Sequence, residues 1–222
     1  MKLSFYSLLF VLSLALFGCK GSKQTTSNSA ISKDTETKLF TKQDIDVNHY
    51  FVSASKEKLL GNTEDAIRLY KKCLQLDPNN AAAAYELCII ALNVNDFQNA
   101  ELYGRKAYTL NPDNEWYAII FVEALQRNKK PAEAIKIYQK LIKSFPERTD
   151  IYYDFADCYL RMNKPNDAID VYNELEKKIG VNAELSLQKE KIFIRMSKLD
   201  KAVEEINKLI ATAPEEAKYY GI

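Results

Sequence analysis

The 222-residue chain has one histidine, His49, one tryptophan, Trp116, and only six glycines and six prolines. A lone histidine with scattered cysteines cannot assemble a zinc site of recognised spacing, and so few glycines leave no phosphate-cradling loop. Carboxylates are plentiful, but on amphipathic helices they form the solvated face. The expectation is a chain without catalytic residues, metal ligands or a cofactor. Charge of one sign is missing too: 31 basic against 30 acidic residues, with no Lys/Arg block, gives no bulk attraction to nucleic acid.

What is present is a period. Ala66, Ala100, Ala134, Ala168 and Ala202 stand 34 residues apart. Tyr70, Gly104, Tyr138, Tyr172 and Ile206 follow four residues later, and Pro78, Pro112, Pro146, Gly180 and Pro214 twelve residues later. A fixed small residue, a large residue one turn on and then a helix stop describe a helical hairpin repeated along a solenoid. The period and these residue types resemble the tetratricopeptide repeat (TPR) family over roughly residues 47–222. The resemblance implies an all-α fold, a right-handed superhelical α-solenoid of about five units at 47–80, 81–114, 115–148, 149–182 and 183–216, with a sixth helix pair begun by 222. It also implies protein or peptide partners rather than catalysis.

Residues 1–18 read as an export signal: Lys2 supplies the positive start and Leu3 to Phe17 is almost wholly apolar. That run is shorter than the ~20 residues a spanning helix needs. Leu16-Phe17-Gly18-Cys19 resembles the bacterial lipobox, in which cleavage precedes the cysteine and its thiol takes diacylglycerol. The alternative is an ordinary secretory peptide with a cysteine at that place. The lipobox resemblance implies lipidation of Cys19, a membrane partner through the anchor, and a place in the cell envelope, expected at the outer membrane facing the periplasm. Residues 19–46 bury too little apolar surface to offset their ordering entropy and are expected to form a flexible tether. Its reach is on the order of 30 Å. With Cys19 lipidated, Cys73, Cys88 and Cys158 remain, an odd number. They read as buried small hydrophobes, with a Cys73–Cys88 bridge as the alternative.

Within the hairpins, Gly61-Asn62-Thr63 breaks the first inner helix, near Asn48–Leu60, and caps the second helix. Pro131 and Pro165 stand at first helical positions. Gly104 replaces the aromatic, so its helix either packs less well or approaches a neighbour closely, with Tyr103 supplying bulk. The aromatics Tyr50, Tyr70, Tyr138 and Tyr152 read as core. In the fifth unit Lys189 and Glu190 stand where Phe155 and Ala156 stand one unit earlier. Either that helix is rotated onto Leu185, Ile192 and Met196, or it packs poorly.

The inner helices of a solenoid line a concave face. By the TPR register its stripe holds Phe51 and Ser55; Tyr85, Glu86 and Ile89; Trp116, Ile119, Ile120 and Glu123; Tyr153, Asp154 and Asp157; and Leu187, Gln188 and Lys191. Aromatic and aliphatic residues among carboxylates suit a partner segment with basic residues. Trp116 is the leading hot-spot candidate, the alternative being that it packs on the adjacent inner helix. The lysine, asparagine and arginine set with which some TPR proteins clamp a terminal carboxylate is absent from these positions. The functional expectation is a membrane-anchored interaction scaffold of the bacterial envelope. The alternative is a docking or sensory arm of a longer protein whose catalytic or cell-wall-binding domain lies beyond Ile222.

Overall fold

A reciprocal cap opens the first helix: the Thr41 hydroxyl accepts from the Asp44 N–H, and the Asp44 carboxylate accepts from the Thr41 N–H at 2.8 Å. In this computed structural model, which describes residues 41–219, α1 consequently runs Lys42–Leu59. Residues 42–46, expected in the tether, are therefore helical. The cap supplies a helix start that the low apolar content of the stretch conceals. Residues 1–40, with the export signal, Cys19 and most of the expected tether, lie outside the described residues.

Nine helices complete the five hairpins: α2 (Thr63–Leu76), α3 (Ala81–Asn93), α4 (Phe97–Leu110), α5 (Glu115–Arg127), α6 (Pro131–Ser144), α7 (Thr149–Arg161), α8 (Pro165–Ile179), α9 (Ala183–Arg195) and α10 (Leu199–Thr212). A short α11 (Pro214–Tyr219) starts the next unit in register, its Glu216 carboxylate accepting from the Ala183 N–H at 2.8 Å. Odd-numbered helices are the inner ones. Among the described residues there is no strand, and no helix is long and apolar enough to cross a membrane.

One turn closes every inner helix. Gly61, Asn95, Lys129, Asn163 and Ser197, again 34 residues apart, all take positive φ between 56° and 81°. The next N–H then reaches back five residues, as in Asp96 to Ala91 and Lys130 to Leu125, both at 2.8 Å. This arrangement satisfies carbonyls that the helix end would otherwise strand.

Between inner and outer helices the alanine column is closed to solvent: Ala66, Ala100, Ala134 and Ala168 are fully buried and Ala202 nearly so. Tyr70, Tyr138, Tyr152 and Tyr172 are buried beside it, as expected of core aromatics, while Tyr50 is half-buried against the same layer. At Gly104 the structure has the close approach. A Cβ there would stand 3.0 Å from Cys88 Sγ and 3.2 Å from Phe121 Cα, and Tyr103 fills the adjoining space. Four apolar clusters run through the helices among the described residues, and residues 40–222 form one compact unit.

The three described cysteines are buried and free, which corrects the Cys73–Cys88 alternative. Cys73 Sγ faces the Val47 carbonyl of α1, whereas Cys88 Sγ faces the Ile120 carbonyl of α5, so the thiols point into different layers. Burial pushes the thiols up, to about 11 for Cys73 and Cys158 and about 12 for Cys88, leaving them unreactive at neutral pH.

Charged residues occupy apolar columns in two places: Glu101 alone, and Lys189 with Glu176 and Glu205, which stand in the columns of Ile142 and of Ile137. Glu101 stands where Ile67, Ile135 and Ile169 stand in other units. Burial disfavours its charge, but hydrogen bonds from Lys130, Arg105 and Asn128 prevail and hold its pKa at about 2. Lys189 takes the place of Leu87, Phe121 and Phe155, and its ammonium is buried 2.8 Å from Glu205 and 3.2 Å from both Glu176 and Asn173. Ser186 and Lys208 complete the set on the two carboxylates. The fifth inner helix is not loose: the expected stripe is in place, with Leu185 and Ile192 buried and Met196 partly buried against the same core. It needs no rotation, since these are the positions that Ile151, Cys158 and Met162 occupy one unit earlier, and Lys189 is accommodated by partners from α8 and α10.

Removing one member of a buried ionic group strands the others. Lys189→Ala is expected to lower stability by about 3–5 kcal/mol, and Lys189→Met, which keeps the stem volume, by most of that. Urea unfolding that showed a loss below about 1 kcal/mol would mean that the carboxylates find water or other cations instead.

Candidate functional site

One face of α5, along its length, and the facing side of α7 leave a hollow of about 480 Å³ between them. Asn114 sets the first wall: its side chain accepts from the Trp116 and Tyr117 N–H groups and starts α5, placing Trp116 at the rim. Trp116 is 55% exposed, which excludes the expectation that it merely packs on the neighbouring inner helix. One face of the indole is covered by the Arg148 guanidinium at 5.4 Å, itself held by Glu115 at 2.8 Å and Asp150 at 2.7 Å. A cation over an indole face is attracted by the ring quadrupole.

Helical spacing puts Ile119, Glu123 and Arg127 below Trp116 on α5, and Asp150, Asp154, Asp157 and Arg161 opposite them on α7. Gln126 and the Tyr138 hydroxyl, hydrogen-bonded at 2.7 Å, close the floor. The expected acidic lining needs correction. Arg127, Arg148 and Arg161 share the hollow with the four carboxylates. These cations are engaged, Arg161 by Asp157 at 2.5 Å and Arg127 by the Phe97 ring at 5.1 Å. Glu123 and Asp154 have no basic partner in ion-pair range among the described residues, so the hollow keeps an excess of negative charge.

That excess acts on Asp154. Partial burial, then the like charges of Asp150, Asp157 and Glu123, push its carboxyl above the usual aspartate value. Asp150 goes the other way, held down by its hydrogen bonds from Arg148. Neighbouring carboxylates on one helix face are thus separated by their surroundings.

The other expected groove residues are less available. Phe51 packs edge-on against Tyr70 at 5.4 Å, whereas Tyr85 lies tilted against Tyr117 at 5.2 Å and Tyr153 tilted against Tyr172 at 5.6 Å. Glu86 is paired with Lys58 at 2.5 Å. Ile89 is half-buried, Ile120 packs on the Cys88 layer, and Lys191 is exposed beyond the hollow. A second hollow, of about 630 Å³, lies at the N-terminal end among Asn48, Phe51, Asp77, Asn80 and Ala82. Sequence reasoning missed Arg127, Arg148 and Arg161. The 34-residue spacing of Arg127, Arg161 and Arg195 was the available signal for two of them, whereas Arg148 comes from a link between hairpins. His49 is exposed on α1, and no cluster of metal-binding side chains occurs among the described residues.

Hairpins in fixed register around a concave hollow define a helical-repeat solenoid. Sequence profiles agree in part: a tetratricopeptide repeat profile matches residues 59–103, and one described as anaphase-promoting complex, cyclosome, subunit 3 matches residues 93–175. Together with the solved folds they support a TPR protein. A MamA crystal structure is similar with TM-score 0.65 and 22% identity, over 78% of this chain and 94% of that one. MamA from residue 41 onward, from Desulfovibrio magneticus RS-1, gives TM-score 0.62 and 16% identity over 77% and 97%. YrrB, described as a TPR protein with an unusual peptide-binding site, gives 0.60 and 18% over 78% and 90%. At such identities the likeness shows the fold alone. No curated protein matches the chain in sequence.

The raised Asp154 pKa has a thermodynamic sign. A carboxyl that holds its proton more tightly folded than unfolded adds stability below the unfolded pKa, and that stability is lost as pH rises through the folded value. Asp154→Asn is therefore expected to raise the melting temperature at pH 7, with the gain vanishing as pH falls below the ordinary aspartate range. A lowered melting temperature at pH 7 would show instead that Asp154 stabilises the array.

Proposed function

We propose that this chain is a lipid-anchored scaffold of the bacterial cell envelope, at the outer membrane facing the periplasm, that binds partner proteins through the hollow between α5 and α7 and acts by binding alone. The observation that carries it is Trp116, a half-exposed indole at the rim of a hollow whose unpaired carboxylates are Glu123 and Asp154. Large aromatic side chains dominate binding energy where a partner can cover them, and the charge excess selects a segment with a lysine or arginine beside an apolar residue. The second face of the indole takes the apolar residue, while the cation settles between Glu123 and Asp154. The YrrB description lends a precedent for peptide binding on this fold. Support for the anchor is the sequence Leu16-Phe17-Gly18-Cys19, and acyl chains there would hold the array at a membrane without a spanning helix.

A photo-crosslinking residue in place of Trp116 or Asp154 is expected to capture the same envelope proteins, and one in place of Gln139, on an outer helix, to capture none of them. Trp116→Ala is expected to weaken binding of a captured partner about 30-fold or more, and Asp154→Lys by at least tenfold, with circular dichroism unchanged. Capture that was equal at Gln139 would sink the groove. For the anchor, Cys19→Ser is expected to move the protein from the membrane to the soluble fraction. Unaltered fractionation, with no acyl chain in the mass of the N-terminal peptide, would remove lipidation from the reading.

A further inference from the structure

Because one turn closes every inner helix, the five turns line one edge of the solenoid, opposite the links that join successive hairpins. Neighbouring turns touch: Arg127 reaches Asn95 Oδ1 at 3.4 Å, and Lys198 reaches Asn166 Oδ1 at 3.3 Å. This edge carries two kinds of side chain. The first two turns present Leu59, Leu60 and Val94, exposed to 85%, 62% and 54%, and the fifth presents Leu199 at 61%. Leu59, Leu60 and Leu199 are the three most exposed large aliphatic side chains among the described residues.

The third to fifth turns present cations: Lys129 with Lys130, Arg161 with Lys164, and Arg195 with Lys198. Lys130 is tied to Glu101 and Arg161 to Asp157. Lys129, Lys164, Arg195 and Lys198 have no carboxylate in ion-pair range among the described residues, so their charge faces outward. Lys129 also holds φ 61°, a left-handed conformation that Gly61 and Asn95 adopt more easily at the same turn position. Asp65, Asp96, Asp167 and Asp200 of this edge sit in the caps or first turns of outer helices, where the helix dipole already engages them, whereas Glu57, in the last turn of α1, accepts from the Asn62 side chain. The opposite edge is mixed: Asp77, Asp113, Glu147 and Glu184 in or beside the links stand among Lys72, Lys140, Lys143, Arg148, Lys177 and Lys178, and Lys140 and Arg148 are paired with Asp113 and Glu115 there.

We propose that the edge formed by the inner-helix turns lies against an anionic lipid bilayer. The cations meet phosphate groups, and the leucines enter the boundary between headgroups and acyl chains. Nucleic acid would satisfy the same cations but leave the exposed leucines in water. The inner helices then stand on the bilayer by their C-terminal ends, and the hollow between α5 and α7 opens sideways along the membrane plane. Contact through this edge needs no acyl chain on Cys19 and stands separately from the anchor.

The test is vesicle flotation of residues 41–222, which contain the whole described core, with mixed phosphatidylglycerol and phosphatidylcholine or with phosphatidylcholine alone. Binding is expected to the anionic vesicles only, and to fall with added salt. The triple variant Lys129→Glu, Lys164→Glu, Lys198→Glu should lower partitioning by about two orders of magnitude. Leu59→Ser with Leu60→Ser, at exposed tips where folding is not at stake, should lower it by about tenfold. The triple variant Lys72→Glu, Lys143→Glu, Lys177→Glu, which makes the same charge change at the opposite edge, should bind as the parent does. No flotation with anionic vesicles, equal loss in the opposite-edge variant, or equally tight binding of a single-stranded oligonucleotide would each overturn the proposal.

Discussion

The structure depends on how closely an inner helix can approach its outer partner, and that distance is set by one alanine per hairpin. With Ala66, Ala100, Ala134, Ala168 and Ala202 in the contact, no side chain props the pair apart, and the large residue one turn later fills the wedge that opens beyond. A larger residue in the column would force the helices apart or off their rotamers, at a cost of about 1–3 kcal/mol. Since each unit packs mainly on its neighbours, the same contact copied at a constant spacing carries the turns, the links and the concave face into register with it. Gly104 is an instructive variation. Its missing side chain lets α4 close on Phe121 of α5, and Tyr103 restores the lost volume from the adjacent position.

Against this regular frame the polar departures are supported from outside their own helix. Glu101 depends on Lys130 and Asn128 from the following turn, and Lys189 on Glu176 from α8 and Glu205 from α10. Each polar departure therefore ties successive elements together electrostatically where an apolar residue would do so by packing alone. The hollow between α5 and α7 uses the same device less completely. Arg148 and Arg161 neutralise Asp150 and Asp157, and Glu123 and Asp154 are left over. A charge excess that the core would not tolerate persists at a surface open to solvent and to a partner.

Much of this was legible in the residues. The 34-residue period located five hairpins, Pro131 and Pro165 marked helix starts, and the concave positions were assigned to the correct helices. The start of α1 was not, because a cap between Thr41 and Asp44 lies in a stretch too polar to suggest a helix. Nor was the state of Lys189, whose partners stand 13 and 16 residues away from it on two other helices. The candidate site was half visible. Trp116, Glu123, Asp154 and Asp157 fell together as expected, but Tyr85, Glu86 and Tyr153 proved to be taken up by neighbours that a one-helix register does not reveal.

The sequence by itself determined the repeated hairpin, because alanine spacing, aromatic placement and helix stops act within one unit and do not need the others to be known. Only the tertiary structure decided which polar side chains are spent on one another and which remain free. That depends on distances between helices a whole repeat apart, where a shift of a few ångströms decides whether a carboxylate meets an arginine or water.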